Sequence, residues 1–395
     1  MWVLIAALGG LAILWTLLVR TEIVTAERLF GTRSLPAPHI AAEARALHDR
    51  LLVADLHADS LIWRRDLLFR SDLGHFDFPR MAEGNGAVQG FLVVTESPKV
   101  ITGGNISDKS DQLTALAIFD QWPLRAVINQ TERALYLGNK LHQFCSRSGG
   151  RIRLIRSAED LSAMLAVRAA DPAVRGAYLG LEGADGTGYD IGNLERLFAA
   201  GFRMSELCHY TDTAFAGSSS GVSGAGLSAL GREAVQAMDG LRMMIDLAHA
   251  SPATVADVLK LSPRAPLVTH TGSATCHHDP KCLPDELLVE IVRRGGIIGL
   301  GFVPDYVGEG GLDAIARVLD HMIVTLGADG VALGSGFCAL PQPVPVHHLP
   351  RITEALLRSG HHEEVIAKVM GANVIRYLAD NLPRLTSTLS PIRHS

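Results

Sequence analysis

Five apolar runs in this chain each end in an acid or an imidazole. The first, Leu51–Leu56, carries Asp55 and is followed by His57 and Asp59; the others deliver Glu182 after Leu181, His209 after Cys208, His249 after Ala248 and His270 after Thr269. Successive side chains of a strand alternate between faces, so Asp55, His57 and Asp59 project the same way, and His57 with Asp59 can chelate one ion. A single His-x-Asp pair is weak, but its recurrence at five run ends is not a chance pattern of solvated residues. Imidazole and carboxylate donors without a thiolate suit borderline divalent ions, zinc first, with manganese or cobalt as substitutes. Six such groups exceed one tetrahedral site, which favours two metals sharing a bridging carboxylate, a pair able to activate a water and polarise the carbonyl it attacks. Asp246, two residues before Ala248, is expected to be a buried acceptor that orients a ligand instead of binding metal itself.

These groups span more than two hundred residues, so something must gather them. The strand candidates are Leu51–Leu56, Ala87–Val94, Ile152–Ile155, Ala177–Leu181, Met204–Cys208, Met243–Leu247, Pro266–Val268, Gly296–Phe302 and Val331–Leu333. Between them, Ala115–Ser146, Leu194–Ala200, Arg232–Met238, Pro252–Leu259, Asp285–Arg294 and Leu312–Leu326 carry helix-period apolar positions. Strands alternating with helices imply parallel βα units. An open doubly wound sheet would give a similar local pattern, and nine candidates are one too many for eight barrel strands. The polar residues at the strand ends favour a (β/α)8 TIM-like barrel, because its C-terminal strand ends converge on one rim.

The remaining sequence sets boundaries. A net charge of −5, from 36 basic and 41 acidic residues, gives no electrostatic footprint for nucleic acid. The five cysteines, Cys145, Cys208, Cys276, Cys282 and Cys338, contain no C-x-x-C pair; one bridge is conceivable, Cys276 and Cys282 being nearest, but spacing does not fix connectivity. The uncharged run Trp2–Val19 is long enough to span a bilayer core of ~30 Å, so residues 1–20 are expected to be one transmembrane helix, with a cleaved signal peptide as the rival. No basic residue precedes the run as a signal sequence requires. Residues 21–38 are expected to be a linker, 39–385 the barrel and 386–395 a polar tail. Two polar loops, Ile101–Asp111 and Gly217–Gly226, are either lids or mobile surface. Sequons at Asn105 and Asn129 matter only in a secretory eukaryotic host. The pairs His277-His278, His347-His348 and His361-His362 read as solvated surface.

The segments Asp55–Asp59, Leu181–Gly183, Leu207–His209, Ile245–Ser251 and Val268–Thr271, together with Phe78–Met81 and Leu283–Glu286, resemble the signature segments of the membrane (renal) dipeptidase family of zinc metallopeptidases in order and spacing, from about residue 48 to about 380. The resemblance implies two zinc ions, with His57 and Asp59 on one, His249 and His270 on the other, and Glu182 bridging. It further implies that His209 holds the substrate or steadies the tetrahedral intermediate, that Lys281 binds the dipeptide carboxylate where the family usually has Arg, and that the protein dimerises. Lysine replaces a bidentate fork by a point charge. At the last strand the family's Gly-Ser-Asp-Phe-Asp-Gly reads Gly334–Ala339 with Gly336 in place of the acid that handles the water's proton; loss of a general base commonly costs about 10²–10⁴-fold in rate. The first expectation is therefore a membrane-anchored, extracytoplasmic zinc dipeptidase acting through a metal-bridging hydroxide, with its turnover in question at Gly336. The second is a metal-binding, peptidase-inactive member serving as a maturation factor or binding protein for a peptide-derived metabolite. A third, a purely structural anchored domain, leaves the ligand set unexplained.

Overall fold

The computed structural model describes residues 9–11, 13–18, 25–33, 35–107, 109–337 and 341–384. Nine parallel strands run through it: β1 Val53–Asp55, β2 Gly86–Val94, β3 Ile152–Leu154, β4 Arg175–Glu182, β5 Phe202–Glu206, β6 Met244–Asp246, β7 Val268–Thr271, β8 Ile298–Leu300 and β9 Val331–Leu333. The hydrogen-bonded order is β6-β5-β4-β2-β1-β9-β8-β7. Its two ends meet, because Asp246 bridges Leu267 in parallel, with Leu247 N donating to Leu267 O at 2.8 Å and Leu267 N to Ile245 O at 3.1 Å. That seam closes the sheet into an eight-stranded TIM-like barrel and excludes the open doubly wound alternative. The ninth strand, β3, pairs only the lower part of β4, which accounts for the surplus seen in the sequence.

Strands covered on both faces read as continuous apolar runs; all nine residues of β2 are buried. Closure also demands close backbone approach. A Cβ at Gly299 or Gly334 would lie 2.0 or 1.7 Å from the Thr269 carbonyl oxygen, so only glycine fits beside the end of β7. The apolar stretch 115–146 does not form one helix. It forms Gln112–Phe119, Leu124–Ile128 and Gln130–Arg147, because Pro123 cannot continue the first helix and Asn129 caps the third, accepting from Glu132 N at 2.9 Å.

Part of the expected linker is docked. Thr25 caps the helix Ala26–Phe30, and its buried Glu27 pairs with Arg65 at 2.8 Å. His347 and His348, expected on the surface, are instead 4% and 3% exposed; the 3-10 turn Val346–His348 aims their Nε2 atoms at the carbonyl oxygens of Leu35 and Pro36, at 3.0 and 2.7 Å. The reading holds better for His278 and His362, which are exposed. Cys145, Cys208, Cys276 and Cys282 are free thiols, so no Cys276–Cys282 bridge forms; Cys338 lies outside the described residues. Among the described residues no helix is long and apolar enough to cross a membrane. The expected span over 1–20 and the tail 386–395 fall largely or wholly outside them.

Candidate metal centre

The strand ends bring the distant ligand types into contact at one rim. His57 Nε2 lies 2.9 Å from Asp59 Oδ1 and 3.5 Å from Glu182 Oε2, while Glu182 Oε1 lies 3.2 Å from both His209 Nε2 and His249 Nε2 and 3.8 Å from His270 Nε2. The Nε2 atoms of His249 and His270 are 2.9 Å apart. Two donor groups able to hold an ion emerge, His57/Asp59/Glu182 and Glu182/Glu206/His249/His270, and Glu182 is common to both. All seven side chains in the cluster, including His209, are buried.

Orientation comes from beneath. Asp246 accepts from Ala248 N and Thr269 N at 3.0 and 2.9 Å, and from the Thr269 hydroxyl at 2.5 Å. With its hydrogen donated to Asp246, that hydroxyl can only accept, and it faces His57 Nδ1 at 3.2 Å and His270 Nδ1 at 3.1 Å. Both imidazoles thereby present Nδ1–H to that hydroxyl, and the Nε2 atom of each is the one that faces the cluster. Asp55 is a tie between strands, accepting from His57 N and Gln89 Nε2 on one oxygen and from Ser335 N on the other. His249 sits at φ 60°, a left-handed conformation uncommon outside glycine, and Ser219 N holds its carbonyl at 2.7 Å. The Gly217–Gly226 loop is pinned by this bond and by Asp212, which accepts from the amides of Ser218, Val222 and Ser223. The other polar loop reaches it through Ile106 N and Ser220 O, 2.8 Å apart.

The electrostatics fit cation binding. Burial, then the neighbouring Glu182 carboxylate, pushes Asp59 up to about 7. Burial acts upward on Glu182 too, but His209 and His57 outweigh it and hold its carboxyl well below the usual range. Burial and the nearby His209 bring His249 down to about 4, a neutral ligand-ready imidazole. Glu182 Oε2, both oxygens of Glu206 and His249 Nδ1 have no hydrogen-bond partner. Buried polar atoms are rarely left so, and nitrogen and oxygen donors of these types suit divalent metal ions.

Sequence reasoning missed Glu206. It ends β5 at 0% exposure, and the signal available was an ionisable residue on the inward phase of a strand buried on both faces. Lys281 belongs to neither donor group. It is ion-paired with Asp305, lies 3.0 Å from Ile101 O and stands 5.2 Å above the Tyr210 ring. Gly336 follows β9 at φ 66°, beside Phe337, whose carbonyl accepts from Asp59 N at 3.3 Å.

The sequence matches the membrane dipeptidase family (Peptidase family M19) over residues 41–384. The chain belongs to that family. Dipeptidase tcpJ of Claviceps purpurea (strain 20.1) is 26% identical over 317 residues, covering 78% of this chain and 69% of that protein. The solved structure of the metallopeptidase dipeptidase AC superposes with a TM-score of 0.69 at 25% identity, covering 84% of this chain and 99% of that one. A metallopeptidase from Rhodobacter sphaeroides, solved with a phosphinate mimic of the dipeptide L-Ala-D-Ala, gives 0.67 at 25% identity over the same shares. The family is metal-dependent, as the donor groups of this dipeptidase homologue suggest independently.

Proposed function

We propose that the chain is a zinc-dependent dipeptidase, or hydrolase of a closely related short amide, held at a membrane by its first helix with the barrel on the extracytoplasmic side. The observation that carries this reading is Glu182, shared by two buried donor groups at the C-terminal rim. His57 and Asp59 would hold one ion, His249 and His270 the other, and Glu182 both. A divalent pair so held supplies an activated water and polarises the scissile carbonyl. His209, with Nε2 at 3.2 Å from Glu182, would steady the carbonyl oxygen as negative charge develops on it. Burial of the whole cluster excludes bulk water and strengthens each of these interactions.

A second reading, metal binding without hydrolysis, is favoured by Gly336 and by the engagement of Lys281 with Asp305. Gly336→Asp separates the two. A Cβ built there meets no atom within 4 Å, and aspartate tolerates a positive φ better than most residues. The expected result is two zinc ions per chain, dipeptide turnover abolished by chelator, and a gain on the order of 10²-fold in kcat for Gly336→Asp. Two bound zinc ions without turnover in either form would favour the second reading; no bound zinc would end both.

A further inference from the structure

A cavity of about 540 Å³ opens from the metal-ligand rim, with Asp59, Glu182 and His209 at one part of its wall. Much of the rest is apolar: Ile62, Trp63, Val94, Leu113, Leu116 and Phe119. Among the described residues no lysine or arginine lines it. The nearby cation, Lys281, is buried and already neutralised by Asp305, with Ile101 O as a further acceptor. Away from the metal-ligand rim, a free α-carboxylate entering this space would lose its hydration and meet no lysine or arginine on the wall to replace it. An alkyl or aromatic group would gain by leaving water.

We propose that the cavity binds an extended apolar group, and that the enzyme prefers amides bearing such an uncharged group on the cavity side of the scissile bond over dipeptides with a free carboxylate there. The assignment rests on the proposed metallohydrolase only for the position of the reacting carbonyl. Leu113, Leu116 and Phe119 come from one helix, Gln112–Phe119. Phe119 also packs edge-on against Trp15 at 4.6 Å, so the same helix joins the cavity wall to the apolar N-terminal segment.

Binding of straight-chain alkyl hydroxamates to the zinc-loaded full-length chain, followed by calorimetry, tests the assignment. From about two to about ten carbons, Kd is expected to fall about fourfold per methylene until the cavity is filled. Leu116→Glu should flatten that dependence, with a wild-type circular dichroism spectrum and two bound zinc ions reporting that the variant is folded. Asp305→Asn should release Lys281 and improve binding of Ala-Ala relative to its amide by about tenfold. A flat chain-length series in the wild type, or wild-type preference for Ala-Ala over its amide, would overturn the assignment. Chain-length-dependent binding without turnover of N-acyl amides would support the cavity assignment and count against hydrolysis alone.

Discussion

Glu206 lies in the donor group of Glu182, His249 and His270 with neither carboxylate oxygen hydrogen-bonded. Burial, then the carboxylates of Glu182 and Asp246, pushes its carboxyl well above the usual range. A buried acid without a partner is either kept neutral or compensated by a cation. If it binds the ion held by His249 and His270, Glu206→Gln, which preserves shape but removes the charge, should weaken one zinc site by roughly tenfold or more. Zinc competition with a chromophoric chelator would measure it. Unchanged affinity at both sites would make Glu206 a neutral filler of the barrel. The ligand types at strand ends were legible in the sequence because an acid or imidazole closing an apolar run is costly to bury unless a partner meets it there. Glu206 was missed because it lies inside its run, before Leu207 and Cys208, and only its charge on the inward phase of a buried strand set it apart. Lys281 shows the complementary limit: its position in the sequence was readable, but Asp305, 24 residues away, decides what its charge does.

At the scale of elements, His48 fastens the helix Ala42–His48 to two others. Its Nδ1 lies 2.8 Å from Thr353 Oγ1 in the helix Pro350–Arg358, and its Nε2 lies 2.9 Å from Gly84 O at the end of Phe78–Glu83. Burial brings this imidazole down to about 4, so the folded state holds it neutral where the unfolded chain, near 6.5, begins to take up a proton. Its contribution is therefore complete above about pH 6.5 and lost as pH falls towards about 4, on the order of 3 kcal/mol in all. Urea unfolding at pH 7 and pH 5 should show about 2 kcal/mol of that loss in the wild type and a flatter profile in His48→Gln. Equal pH slopes in the two proteins would contradict it. The strand candidates were all found, with shifted ends, because β-branched and apolar runs between helical segments leave little choice. The inward turn of His347 and His348 was hidden, because their partners are backbone carbonyls some three hundred residues earlier.

For the molecule as a whole, closure at the β6–β7 seam makes the cluster one object built from strand ends all around the barrel. Zinc that binds this assembled cluster, and not the unfolded chain, stabilises the fold by mass action, about 2.7 kcal/mol per site at a hundredfold excess over Kd. Chelator should lower the thermal midpoint of the zinc-loaded protein by several degrees, and added zinc should restore it. A midpoint indifferent to chelator would mean the donor groups do not bind zinc in the folded state.

By itself the sequence determined the donor types, their placement at the ends of apolar runs, the alternation that implies parallel βα units, and the glycine at 336. Those properties are local, written in residue identity and a period of two or three to four. Only the tertiary structure decided that β6 meets β7, that β3 stands outside the barrel, that Glu206 joins one of the two donor groups sharing Glu182, and that Lys281 is engaged by Asp305 beside an apolar cavity. Each of these depends on contacts between segments far apart in the chain, where closure of the sheet sets distance and burial sets the cost of charge.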